Sequence, residues 1–152
     1  MSYQEQRSVL TMLSGVLLFS IFFLVMMPRF EALDSVVRSD GTALLQWAAG
    51  AMLVFIAASI VLRIVLMIIF SVFYRMISGE DPPEIEDERD RQIALRVDQV
   101  AQTLFIVGFV GALIAVRFGV GPVGMLLHMG AAGVVAEVVG ESTRIFMYRR
   151  GV

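Results

Sequence analysis

The sequence has little charge and no cysteine. Charged residues make up 17% of its 152 residues and apolar types 58%, whereas an average soluble domain is about 25% charged. A domain of this size has too little interior to hide that much apolar surface from water. The absence of cysteine excludes a disulfide, a thiolate nucleophile and a cysteine metal site within the chain. These absences predict a polytopic membrane protein and argue against a soluble enzyme.

Four apolar runs are each long enough to cross a bilayer, which takes about 20 residues as a helix. They lack the alternation of barrel strands, so helices are expected. The first run ends without a small-x-small cleavage site, so it is interpreted as an uncleaved anchor. The sequence therefore predicts one all-α domain over 1–152, a four-transmembrane-helix bundle. Its expected spans are about 9–27, 43–74, 99–117 and 123–148, and a tight turn over 118–124 makes the last two an antiparallel hairpin.

Arginine is unevenly distributed over the connections, and all 12 basic residues of the chain are arginine. Cytoplasmic connections of membrane proteins carry the excess of basic residues. One side would hold Arg7, Arg75, Arg89, Arg91, Arg96, Arg144, Arg149 and Arg150, and the other Arg29, Arg38 and Arg117. Both termini and the middle loop are therefore expected in the cytoplasm of a bacterium, with the protein in its inner membrane.

The outward connection from Pro28 to Gly41 has an amphipathic pattern. Phe30, Leu33 and Val37 recur at helical spacing with charged residues between them. This spacing predicts a short helix lying on the outer leaflet.

The middle loop is rich in acidic residues. A helix is predicted to begin near Pro82, because the sequence there has a helix-capping residue, then a proline, and then an acidic residue in the first turn. The apolar stripe then continues to about Arg117, so the residues from about 82 to 98 would project as a charged cytoplasmic stalk. Its candidate docking residues are Glu84, Asp87, Glu88, Arg89 and Asp90. A solvated helix start with internal ion pairs is the structural alternative, and a cation site is disfavoured because arginines neutralise the acids.

The segment Asp87-Glu88-Arg89-Asp90, followed by Ile93 and a hydrophobic helix, resembles a group of small uncharacterised prokaryotic four-span membrane proteins. Those proteins have an Asp-Glu-Arg-acid motif in the cytoplasmic loop before the third span. The resemblance covers about ten residues and the hydropathy layout. It implies a fold, because the group is a domain of unknown function. Some members look like partners of small transcription regulators, which implies a regulatory role.

Two charges lie deep within the predicted spans. Arg63 precedes Tyr74 by 11 residues, and Glu137 precedes Tyr148 by the same number. Both helices run inward, so each charge lies roughly 16 Å from a tyrosine that marks the cytoplasmic boundary. Ionisable groups at this depth are costly and need a partner. The equal depth predicts an ion pair between Arg63 and Glu137.

Small residues around Glu137 favour close helix packing. The residues expected at this contact are Gly130, Gly133 and Gly140. Glu141 has two alternative partners, Arg144 on its own helix or Arg63. The ion pair itself has two interpretations: it fixes helix register, or Glu137 binds and releases a proton or cation during transport.

The expected function is that of a non-enzymatic accessory or regulatory membrane protein. It would bind a protein partner through the stalk or the small-residue helix face, with self-association left open. The alternative is a small proton- or cation-coupled transporter that uses Arg63, Glu137 and Glu141. Membrane lipids are expected partners, whereas nucleic acid, a metal and a cofactor are not. The single histidine, His128, is expected near the outer surface, away from any catalytic constellation.

Overall fold

The computed structural model describes residues 3–79 and 88–150, and these residues form five α-helices. In chain order they are α1 (Tyr3–Glu31), α2 (Ser35–Ser39), α3 (Gly41–Ser78), α4 (Glu88–Arg117) and α5 (Pro122–Arg150). All except α2 are long and apolar enough to cross a membrane. The chain is an all-α, multi-pass membrane protein built as a helical bundle, as its apolar runs predict.

Short polar side chains and glycines end the helices. The carboxylate of Asp40 accepts hydrogen bonds from the backbone N–H groups of Thr42 and Ala43, which caps the start of α3. Gly79 ends α3 in a left-handed conformation, with φ of 69°. Gly119, with φ of 94°, lies in the turn that reverses the chain between α4 and α5. The predicted hairpin of the last two spans is therefore present.

The outer connection differs from the expectation of one surface helix. α1 continues through Pro28 to Glu31, and the separate helix α2 has only five residues. The guanidinium of Arg38 donates to the carbonyl oxygens of Phe30 and Glu31, the last residues of α1. This side chain satisfies carbonyls that a helix end leaves without partners. The amphipathic stripe is thus divided between the end of α1 and α2.

α5 is the central helix of the bundle. It packs along α4 for most of its length and also contacts α1 and α3. Within the described residues, no Cα atom of α3 lies within 8 Å of one in α4, and α4 contacts α5 alone. The bundle is therefore asymmetric. A cleft runs along α5 between α3 and α4.

The first part of α4 does not project as a free stalk, which corrects that expectation for the described residues. Ile93 and Val97 are buried and form an apolar cluster with Met147, against which Tyr148 packs. α5 extends to Arg150 and lies beside this part of α4. The predicted stalk residues before Glu88 lie outside the described part of the chain.

Candidate functional site

Arg63 of α3 and Glu137 of α5 form an ion pair between helices. The Nη2 group of Arg63 donates a hydrogen bond to Oε2 of Glu137. The Glu137 side chain is 16% exposed and that of Arg63 is 42% exposed. The structure thus brings together the two charges whose common depth predicts their pairing. The role of the pair, structural or in transport, stays a prediction.

Gly15 of α1 makes room for this pair, although sequence reasoning did not single it out. A Cβ atom at position 15 would lie 2.6 Å from Oε2 of Glu137 and 3.7 Å from Nη2 of Arg63. Real Cβ atoms essentially never come this close to another heavy atom, so a side chain at position 15 would require the Glu137 carboxylate to shift. Three helices therefore meet at the pair, and α1 has no side chain at the point of contact.

Glu141 pairs within its own helix. Its Oε2 lies 3.2 Å from Nε of Arg144, one turn further along α5. Of the two partners that the sequence allows, the structure selects Arg144. Two ion pairs thus follow each other along α5, with the deeper one crossing to α3.

The Arg63–Glu137 pair leaves two buried polar atoms without hydrogen-bond partners among the described residues. These atoms are Nε of Arg63 and Oε1 of Glu137. Buried polar atoms are nearly always bonded in native proteins, and exceptions often mark functional sites. Both residues line the cleft between α3 and α4. The pair therefore has one buried donor and one buried acceptor that make no hydrogen bond within the described residues.

The cleft has a volume of about 730 Å³ and is open on one side. Volumes of about 300–1,000 Å³ are typical of small-molecule sites. Its polar walls are formed by Arg63, Glu137, Glu141 and Arg144, together with Ser59, Asp98 and Gln102. The part nearer the turn between α4 and α5 is apolar, with Phe55, Met129 and Phe105 among its residues. One end of the cleft is thus charged and the other is apolar.

The predicted small-residue positions are mostly used inside the bundle. A Cβ at Gly140 would contact Ala101 and Val97 of α4, at 3.2 and 3.5 Å. A Cβ at Gly130 would meet Phe19 of α1 at 2.9 Å. Gly133 lines the cleft and has only Phe105 at 4.0 Å. Gly130 and Gly140 therefore hold this chain's own helices together, so they are not available for an external helix.

The predicted docking residues have different environments. Glu84 and Asp87 lie outside the described residues. Glu88 and Arg89 are exposed at the start of α4. Asp90 accepts a hydrogen bond of 2.8 Å from the hydroxyl of Tyr148, which joins the start of α4 to the end of α5. Asp90 is thus a structural contact within the bundle.

Other polar residues lie apart from the cleft. His128 is exposed, and its Nδ1 lies 2.7 Å from the carbonyl oxygen of Gly124 on its own helix. Among residues 3–79 and 88–150, no three histidine or acidic side chains are grouped as metal ligands.

Comparison with known proteins gives no relative. No family model matches the chain, and neither a curated protein nor a solved structure is detectably similar to it. The function therefore has to be argued from the chain's own residues.

Proposed function

We propose that the chain is a non-enzymatic accessory or regulatory protein of the bacterial inner membrane, with both termini in the cytoplasm. It binds another protein through the charged cytoplasmic start of α4. The arginine distribution supports this orientation. Residues 87–90 resemble a motif of a group of unknown function, and some members of that group look like partners of small transcription regulators, which favours a regulatory role.

One observation carries this proposal: the start of α4 is fixed to the bundle. The bond between Tyr148 and Asp90 and the burial of Ile93 and Val97 hold this segment against α5. Glu88 and Arg89 are therefore displayed from an ordered helix. A pre-organised surface loses less conformational entropy when a partner binds, so more of the contact energy appears as affinity.

The charges of this segment define the partner's chemistry. The sequence from 84 to 90 contains five acidic residues and one arginine. A partner with a basic surface would be steered toward it, since complementary charge raises association rates. The partner proposed is a soluble cytoplasmic protein with a basic face.

Charge reversal tests this proposal. In cells that express the variant Glu84→Arg, Asp87→Arg and Glu88→Arg, cross-linking in native membranes should no longer capture the partner identified with the wild type. Gln6→Arg is the control, because Gln6 is exposed at the same end of the bundle on α1. It should retain the partner. Equal capture by the triple variant and the wild type would reject the docking surface.

A second candidate function is favoured by the open cleft. A small transporter needs a cavity that opens to water, and the Arg63–Glu137 pair lines a partly open cleft with a charged end. The two unbonded polar atoms of the pair add to this argument. In this alternative, Glu137 exchanges Arg63 for a cation or proton during the transport cycle.

Because the chain has no cysteine, thiol labelling distinguishes the two candidates. Ser59 lines the cleft, whereas Ser20 is exposed on α1 outside the cleft. Each hydroxyl donates to the carbonyl four residues earlier in its helix, so the two sites are matched. If water fills the cleft, a charged thiosulfonate reagent should modify the Ser59→Cys variant and leave Ser20→Cys unmodified. Equal resistance of both variants would reject the transporter.

A further inference from the structure

A second cavity opens toward the cytoplasmic end, below the ion pair. It has a volume of about 480 Å³ and lies among α1, α3 and α5. Three arginines line it: Arg7 of α1, Arg63 of α3 and Arg144 of α5. We call it the basic groove. One carboxylate, that of Glu141, also lines it, together with Thr11, Ile64 and Ile68.

The charges of the basic groove are not balanced. Glu137 pairs with Arg63 and Glu141 pairs with Arg144. The guanidinium of Arg7 has no carboxylate partner among the described residues, and the side chain is exposed. One positive charge is therefore in excess, and the groove is suited to an anion. An arginine guanidinium binds phosphate oxygens through paired hydrogen bonds.

The depth of the groove matches that of lipid phosphate and glycerol groups. The ring of Tyr3 packs edge-on against that of Tyr74, with centroids 4.7 Å apart. Arg7 lies four residues after Tyr3, and Arg144 lies four residues before Tyr148, so each is about 6 Å deeper than a tyrosine. Tyrosines in membrane proteins lie at the headgroup level. Both guanidinium groups thus start at the boundary between headgroups and hydrocarbon.

Beyond Arg63, the α3 wall of the groove is apolar, and its isoleucine side chains are exposed. Ile64 is 56% exposed and Ile68 is 59% exposed. These side chains offer a surface for acyl chains directly beside the arginines. A free phosphate ion would gain nothing from them, whereas a phospholipid would contact both parts of the groove.

We propose that the basic groove binds one anionic phospholipid of the inner leaflet, with its phosphate between Arg7 and Arg144 and an acyl chain along Ile64 and Ile68. This site is separate from the α4 docking surface. It involves different residues, so either proposal can fail without the other.

The test is a binding measurement on the full chain in detergent. Added phosphatidylglycerol should raise the unfolding temperature in a saturable way, because a ligand that binds only the folded state stabilises it. Phosphatidylcholine and inorganic phosphate should have much smaller effects. Equal stabilisation by inorganic phosphate would overturn the lipid assignment. Equal stabilisation by phosphatidylcholine would overturn the preference for an anionic lipid.

Substitutions at position 7 locate the site. The variant Arg7→Gln should require about fivefold more phosphatidylglycerol for half-maximal stabilisation, equivalent to the ~1 kcal/mol that a basic side chain contributes near an anionic surface. Arg7→Lys should retain most of the effect, since it keeps the charge. Arg91→Gln is the matched control, because it removes one exposed arginine from the same end of the bundle on α4, outside the proposed docking residues. If Arg7→Gln needs no more phosphatidylglycerol than the wild type, or if Arg91→Gln needs as much more as Arg7→Gln, the proposal is overturned.

Discussion

At the scale of single residues, the Arg63–Glu137 pair joins α3 to α5. Removing one partner leaves the other charge without compensation inside the membrane, which costs about 3–5 kcal/mol for a buried pair. We expect about 3 kcal/mol for either Arg63→Gln or Glu137→Gln, because the Arg63 side chain is 42% exposed. Unfolding in detergent measures each loss.

The double variant shows whether the two residues act together. If they do, it should lose less stability than the sum of the single variants, with a coupling of about 1–3 kcal/mol. The matched cycle combines Arg63→Gln with Glu141→Gln. Its coupling should be smaller, since the nearest cation to Glu141 is that of Arg144 in the same helix. Additive losses in the first cycle would show that the pair contributes no joint stabilisation.

Gly15 gives a second prediction at this scale. In Gly15→Ala, the new methyl group would overlap the Glu137 carboxylate, so the pair or α1 must move. Overpacking of this kind costs about 1–3 kcal/mol. Gly50→Ala is the control, because nothing lies within 4 Å of a Cβ at position 50. It should be neutral or slightly stabilising, since alanine favours the helix, and equal losses in the two variants would contradict the assigned role of Gly15.

At the scale of helices, the Tyr148–Asp90 hydrogen bond holds the start of α4 against α5. In Tyr148→Phe this bond is lost while the ring remains, at a cost of about 1 kcal/mol. Backbone amides over 88–97 should then exchange hydrogen about fivefold faster, because local opening requires less free energy. Tyr3→Phe should leave this exchange unchanged, since the Tyr3 ring packs against Phe70 and Tyr74 of α3. Unchanged exchange in Tyr148→Phe would show that the apolar cluster alone holds the segment.

The helices themselves follow from the sequence, because charge-free runs of bilayer length leave the backbone no other way to satisfy its hydrogen bonds. Their ends were less predictable. Pro28 suggests a break, yet α1 continues to Glu31, since a membrane helix tolerates proline where its neighbours or water satisfy the freed carbonyl. The prediction of a projecting stalk was wrong for a different reason. The stripe through Ile93 and Val97 indicates that one face of the helix is buried, but it does not indicate that α5 extends far enough to cover that face.

At the scale of the whole molecule, the sequence gives depth along each helix but not the arrangement of helices around the bundle. Tyrosine anchors place Arg63 and Glu137 at one level, which is enough to predict their pairing. Gly15 is the single glycine of α1, but the sequence does not show which side chains of other helices it faces. The separation of α3 from α4 likewise depends on how all four long helices pack together. The cleft and the basic groove therefore emerge only from the three-dimensional structure.

The placement of both termini on one side is the remaining whole-molecule prediction. Contacts join the start of α1, the end of α3 and the end of α5 at one end of the bundle: Glu5 pairs with Arg149 at 3.1 Å, and Tyr3 packs against Tyr74. The arginine excess at this end should hold it in the cytoplasm. Green fluorescent protein fused after Val152 should therefore fluoresce, whereas alkaline phosphatase at the same point should be inactive. Alkaline phosphatase fused after Leu33, between α1 and α2, is the positive control and should be active. The reverse pattern of activities would show that the orientation is inverted, with the proposed docking surface outside the cell.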